Sequence, residues 1–197
     1  MRFHLLHCPV LALGPGRRVG LWVQGCSIRC EGCMSRETWP PGGGESIATD
    51  RLACIIEGFF ESGRADGLTV SGGEPFDQPE ALMRLLRSLN VAGVRDILVF
   101  SGYKMENIAL RHPGVSGLVA AIIDGPFELG GETEACWKGS ANQAMTLFRP
   151  ELSEIYGAWA EAKKGALQVL ARGREKFIAG IPRQGDADRI RESIARP

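Results

Sequence analysis

Apolar residues along this chain fall into two alternating spacings. In "RVGLWVQG" (18–25), "GLTVSGG" (67–73), "RDILVFSGY" (95–103) and "LVAAIIDGPF" (118–127) they run nearly unbroken and are rich in β-branched types. That pattern predicts buried strands. Between these runs, "TDRLACIIEGFFESG" (49–63), "QPEALMRLLRSLNVAG" (78–93) and "KMENIALRH" (104–112) carry apolar positions at helical spacing. Thr49 or Asp50 is the expected N-cap of the first helix, Gly63 lies near its end, and Pro113 stops the third. The alternation predicts an α/β fold with a parallel sheet, curled by right-handed crossovers into a partial (βα) barrel. After Pro150 the pattern changes. Residues 150–165 look helical, "ALQVLARGREKFIAGIP" (166–182) reads as two strands around Gly173, and 185–197 fits a last short helix. The expected organisation is a core over 1–150 and a small β-hairpin/helix extension over 151–197.

Composition narrows the classes. The 197 residues suit one domain with an appendage. Lysine plus arginine total 23, as do aspartate plus glutamate, so there is no electrostatic footprint for nucleic acid. No apolar run reaches signal-peptide or transmembrane length, which leads to the expectation of a cytoplasmic protein without a membrane partner. Thiols stay reduced in that compartment, so the six cysteines are not expected to form a disulfide framework. Cys54, inside the apolar run "RLACIIEGFF", is expected in the core.

The chemistry concentrates at strand ends. Cys26, Cys30 and Cys33 follow the first predicted strand at C-x3-C-x2-C spacing, and the other strands end in "SGGEPF", "FSGYK" and "IDGPF". Ligands of α/β sheets bind at the carboxyl ends of strands, so cysteines and glycine turns are expected on one face. Three thiolates fit two kinds of metal. One is a zinc site completed by His4, His7 or Cys8, as in a zinc-binding interaction module. The other is an iron–sulfur centre with one iron left open for a non-protein ligand. An open iron beside "GGEP" suits a ligand that chelates through amine and carboxylate, with Glu74 or nearby carbonyls accepting from its ammonium. Taken singly, "SGGEPF" is also an ordinary turn into a helix, and Ser101 and Asp124 are ordinary cap or turn residues. Arg17 and Arg18 read as surface residues and receive no role.

Together, "GPGRRVGLWVQGCSIRCEGCMSRETW", "VSGGEPF", "VFSGYKMENI", "IIDGPF" and "WKGSANQ" resemble the radical S-adenosylmethionine (SAM) superfamily. More narrowly, they resemble the anaerobic ribonucleotide reductase activating enzymes and related short single-cluster proteins. The resemblance spans roughly residues 1–150. It implies that Cys26, Cys30 and Cys33 bind a [4Fe-4S] cluster whose open iron takes the amino nitrogen and carboxylate of SAM. It further implies that Gly72, Gly73 and Glu74 line the methionine amino group, with Pro75 fixing the turn. Ser101 and Gly102 would lie near the carboxylate or ribose, Asp124 near the SAM region, and Thr38 and Trp39 below the cluster loop. Just before the third cysteine, where many members carry an aromatic residue, stands Gly32, and Met34 and Ser35 follow that cysteine. The implied activity is reductive cleavage of SAM to methionine and a 5′-deoxyadenosyl radical, with an electron from a donor such as flavodoxin or ferredoxin. The implied target is a glycine on a partner glycyl radical enzyme. A stand-alone enzyme acting on a peptide or small molecule, with the extension as an extra wall, is the alternative.

Overall fold

The computed structural model describes residues 1–163, 167–173, 175–183, 186 and 189. Seven strands form one sheet in the order β3-β1-β2-β4-β5-β6-β7. They are β1 (Arg2–Val10), β2 (Arg18–Val23), β3 (Glu45–Ser46), β4 (Gly67–Gly72), β5 (Ile97–Phe100), β6 (Ala121–Asp124) and β7 (Ala144–Leu147). The central four, β2, β4, β5 and β6, are parallel, whereas β1, β3 and β7 pair antiparallel at the two sides. The sheet is open, with β3 and β7 at its edges. The expected α/β architecture with a mostly parallel sheet is present, and the central strands are those the apolar runs predict.

The strands read as unbroken apolar runs because both faces are covered. One face packs Val19, Leu21, Val23, Leu68, Val70, Ile97, Val99 and Ile122 against helices α1 (Thr49–Glu61), α2 (Pro79–Val91) and α3 (Met105–Arg111). The other face carries the alternate residues. Leu5, Val10 and Trp22 meet Leu170 and Ala179 of a hairpin, β8 (Leu167–Arg172) and β9 (Glu175–Gly180). Leu98, Ala121 and Ile123 meet Tyr156 of α4 (Ser153–Glu161). The hairpin expected after residue 166 is therefore present and lies against β1 and β2. The last expected helix, 185–197, falls outside the described residues except at positions 186 and 189.

Several expectations give way to tertiary facts. Helix α1 begins at Thr49, its cap residue is Ala48 with no side-chain bond, and Asp50 instead pairs with Arg84 of α2. Cys54 is exposed, not in the core: Leu52, Ala53 and Ile56 turn inward, and the next position after Ala53 rotates about 100° away from that stripe. Arg18 is the largest correction, because it is fully buried. Its guanidinium donates to Asp96, to the Leu68 carbonyl and to Thr69 Oγ1, so the charge is paired and its donors are used. Arg17 is the exposed one, forked onto Asp66, whose carboxyl it holds down at about 2.

Candidate functional site

Parallel pairing brings the carboxyl ends of β2, β4, β5 and β6 to one rim. Val23 stands beside Gly72, Val70 beside Val99 and Phe100 beside Ile123. The cysteine loop leaves β2 at this rim. Its neck is closed by backbone bonds, Gly25 N–H to Thr38 O at 2.7 Å and Cys26 N–H to Trp39 O at 3.2 Å. Buried Gln24 adds side-chain bonds to the carbonyls of Glu37 and Pro40. Thr38 is buried beneath, its hydroxyl on the Ser35 carbonyl at 2.6 Å. The turns inside the loop use Arg29 at φ 53° and Gly32 at φ 78°. Gly32 has a second reason to lack a side chain, since a Cβ there would approach Leu129 at 2.9 Å and Phe127 at 3.1 Å.

The glycine turn after β4 docks directly on that neck. Gly73 N–H donates to Val23 O at 2.9 Å, and Glu74 N–H donates to Gly25 O at 2.8 Å. Glu74 is buried, and both its oxygens are engaged: Oε1 accepts Phe76 N–H and the Ser101 hydroxyl, and Oε2 accepts Gly102 N–H. It thus links the ends of β4 and β5. Burial pushes its carboxyl up to about 7, against the pull of these three hydrogen bonds. Pro75 is buried at the start of the short 3₁₀ turn that follows. Ser101 is held by its own N–H on Ile123 O and by its hydroxyl on Glu74. Gly102 lies beneath Ile28 of the cysteine loop, where a Cβ would come within 2.6 Å. Asp124, at the end of β6, accepts the Met105 N–H at the start of α3.

Cys26, Cys30 and Cys33 are each half-buried in this loop. Burial raises the thiol pKa of Cys26 and of Cys30, so binding a metal there releases protons. Cys33 Sγ accepts the Ser35 N–H at 3.4 Å. Among the described residues, no three His, Cys, Asp or Glu side chains converge as ligands of a single ion do. Three soft thiolates spread along one loop fit an iron–sulfur cluster, which takes one thiolate per iron, better than a zinc completed by His4, His7 or Cys8 of β1. An open cavity of about 310 Å³ adjoins the loop, lined in part by Cys26, Ser27, Trp39, Asp77 and Gln78. From the sequence, Asp77 reads only as an acid favouring the start of the following helix, and Gln24 and Gln78 receive no role. The last of these donates to the carbonyls of Arg2 and Gln24, bonds no local pattern announces.

A family model described as "4Fe-4S single cluster domain" matches residues 12–146. The anaerobic ribonucleoside-triphosphate reductase-activating protein of Enterobacteria phage T4 is 33% identical over 135 residues, 67% of this chain and 85% of that protein. The protein of the same description from Salmonella typhimurium is 29% identical over 154 residues, 76% of this chain and 100% of that protein. The pyruvate formate-lyase-activating enzyme of Clostridium pasteurianum is 32% identical over 108 residues, 54% of this chain and 45% of that protein.

Proposed function

This chain belongs to the 4Fe-4S single cluster domain family of radical SAM activating enzymes, and on that premise we propose that it activates a partner glycyl radical enzyme. The proposed ligands of the [4Fe-4S] cluster are Cys26, Cys30 and Cys33. The proposed SAM contacts are Gly72, Gly73, Glu74, Pro75, Ser101, Gly102 and Asp124. Residues 1–150 form the proposed core, and 151–197 the extension. When bound, the cluster supplies one electron, taken from a donor such as flavodoxin or ferredoxin, for reductive cleavage of SAM to a species that abstracts hydrogen.

The observation that carries this reading is the backbone contact between the two motifs, Glu74 N–H on Gly25 O at 2.8 Å. It brings the cysteine loop against the glycine turn at one rim of the sheet. The chain's own residues then have separable tasks. The loop neck fixes the cysteines, and the proposed role of the Gly72–Gly73 turn is to offer backbone carbonyls to a ligand's ammonium. Glu74 holds the ends of β4 and β5 together, and a cation seated beside it draws its buried carboxyl back toward the ionised form. The partner is proposed to be a glycyl radical enzyme because the relatives are described as activating a ribonucleoside-triphosphate reductase and pyruvate formate-lyase.

The test is anaerobic reconstitution followed by SAM cleavage with candidate partners. Wild-type protein is expected to bind four irons per chain and to yield 5′-deoxyadenosine and methionine. Cys26→Ala, Cys30→Ala and Cys33→Ala each lose SAM cleavage, and Cys54→Ala keeps the cluster. A triple variant that still held four irons would rule out the ligand assignment. A stand-alone enzyme is the second reading, favoured by the cover that the extension adds over the sheet. Turnover of a peptide or small molecule without a glycyl radical on any partner would select it.

A further inference from the structure

Asp77, two residues past Pro75, reaches back over the rim to the cysteine loop. Its Oδ2 accepts the backbone N–H of Ser27 at 2.6 Å, and its Oδ1 accepts the Ser27 hydroxyl at 3.0 Å. The same Oδ1 accepts the Tyr103 hydroxyl at 2.8 Å, and the two hydroxyls lie 2.9 Å apart. One side chain therefore joins three segments: the residue after Cys26, the turn after β4 and the turn after β5. These segments are 50 and 76 residues from Ser27 in the chain. Bonds to an ionised acceptor are the stronger kind, and three share this carboxylate. The loop neck is fixed on its other side by the Thr38 and Trp39 carbonyls. Asp77 is the matching polar anchor on the side of Ser27.

We propose that Asp77 is a positioning residue for the cysteine loop. It sets where Cys26 stands relative to the Gly73–Glu74 turn, and so how a ligand held at that turn meets whatever the cysteines hold. The proposal rests on the reading of those cysteines as cluster ligands. Residues that orient metal ligands from outside the coordination shell matter by roughly 10- to 100-fold in metal affinity or activity.

The experiment uses the full chain, with Asp77→Ala, Asp77→Asn and, as a control on α1, Cys54→Ala. Reconstituted protein is assayed for the rate of iron loss to a chelator and for KM and kcat of SAM cleavage. Iron-free protein is assayed for the alkylation rate of Cys26 relative to exposed Cys54, by mass spectrometry. Asp77→Ala is expected to take up the cluster, lose iron roughly tenfold faster and raise KM for SAM more than it lowers kcat. Its Cys26 alkylates faster while Cys54 does not. Asp77→Asn restores most of each value, because its carbonyl can serve the Ser27 N–H and its amide can donate to the two hydroxyls. Unchanged iron loss, KM and alkylation in Asp77→Ala overturns the proposal. If wild-type protein takes up no iron, the cluster reading fails instead, and the alkylation ratio alone still decides whether Asp77 positions the loop. Should Asp77→Ala fail to fold, the Ser27→Ala/Tyr103→Phe double variant replaces it. A smaller rise in iron loss supports the proposal there, and wild-type iron loss with wild-type KM overturns it.

Discussion

A Cβ at position 73 would stand 2.1 Å from the Gly25 carbonyl oxygen. The obstacle is backbone, so Gly73 is required by the docking of two loops before any ligand arrives. Gly73→Ala is expected to push the cysteine loop off the turn, at about 1–3 kcal/mol, seen as a lower urea midpoint and less bound iron. Gly42→Ala, with nothing within 4 Å of the new atom, should leave both unchanged. Glu74 gives a pH signature. Its folded carboxyl titrates at about 7 against an ordinary value of 4.5. Between those values the folded chain binds more protons than the unfolded one, so the contribution of this group to stability is present at low pH and is lost as pH rises toward 7. The loss is on the order of 3 kcal/mol at most. Iron-free wild type compared with Glu74→Gln, by urea denaturation at pH 5 and pH 8, should show wild type weakening relative to the variant at the higher pH.

At the scale of elements, the amino end of β2 is tied to β5 and α4 by a buried charge. Arg18 pairs with Asp96, and the Tyr156 hydroxyl donates to the same carboxylate at 2.6 Å. Gly67 of β4 makes the room, for a Cβ there would collide with the guanidinium. Removing one member of a buried pair leaves the other charge stranded, so Asp96→Ala is expected to cost about 3–5 kcal/mol. Tyr156→Phe, which deletes one bond and keeps the ring, should cost about 1 kcal/mol. Denaturant melts of both variants check the ranking, and equal losses would show that Asp96 acts through the Tyr156 hydroxyl rather than through the buried charge pair. The pair lies at the opposite ends of the strands from the cysteines, so iron uptake by folded Tyr156→Phe should match wild type.

Across the whole molecule, the segment after Pro150 covers one face of the sheet. Tyr156, Leu170 and Ala179 are buried against residues of β1, β2, β5 and β6. Gln168 bonds the backbone of Pro9 and Leu11, and Arg172 bonds the His4 carbonyl. Deleting residues 151–197 is therefore expected to expose Leu5, Trp22, Leu98 and Ile123 and to yield an aggregating or lower-melting chain. Leu170→Ala is the milder probe, at about 2–5 kcal/mol by the usual cost of an emptied core site. A soluble truncation that melts like the full chain would show that the sheet needs no cover on that face. Among the described residues no helix is long and apolar enough to cross a membrane.

The amino-acid sequence by itself determined the four parallel strands, the helices between them, the hairpin and the clustering of cysteines and glycine turns at strand ends. All of these are periodicities or spacings among near neighbours, and neighbouring residues carry them whatever the rest of the chain does. Strand β1 escaped because register shifts between Phe3 and Leu5 and between His7 and Val10 break its two-residue period. Strands β3 and β7 escaped because they are short and lie at the edges. The side-chain environments were decided by tertiary structure alone. Arg18 is buried because residue 96 arrives 78 positions later to pair with it. Glu74 turns inward because Ser101 and Gly102 offer donors 27 and 28 positions on. Asp77 meets Ser27 because parallel pairing of β2 with β4 carries both to one rim. Such partners are chosen by where the sheet delivers them, and no local pattern records that.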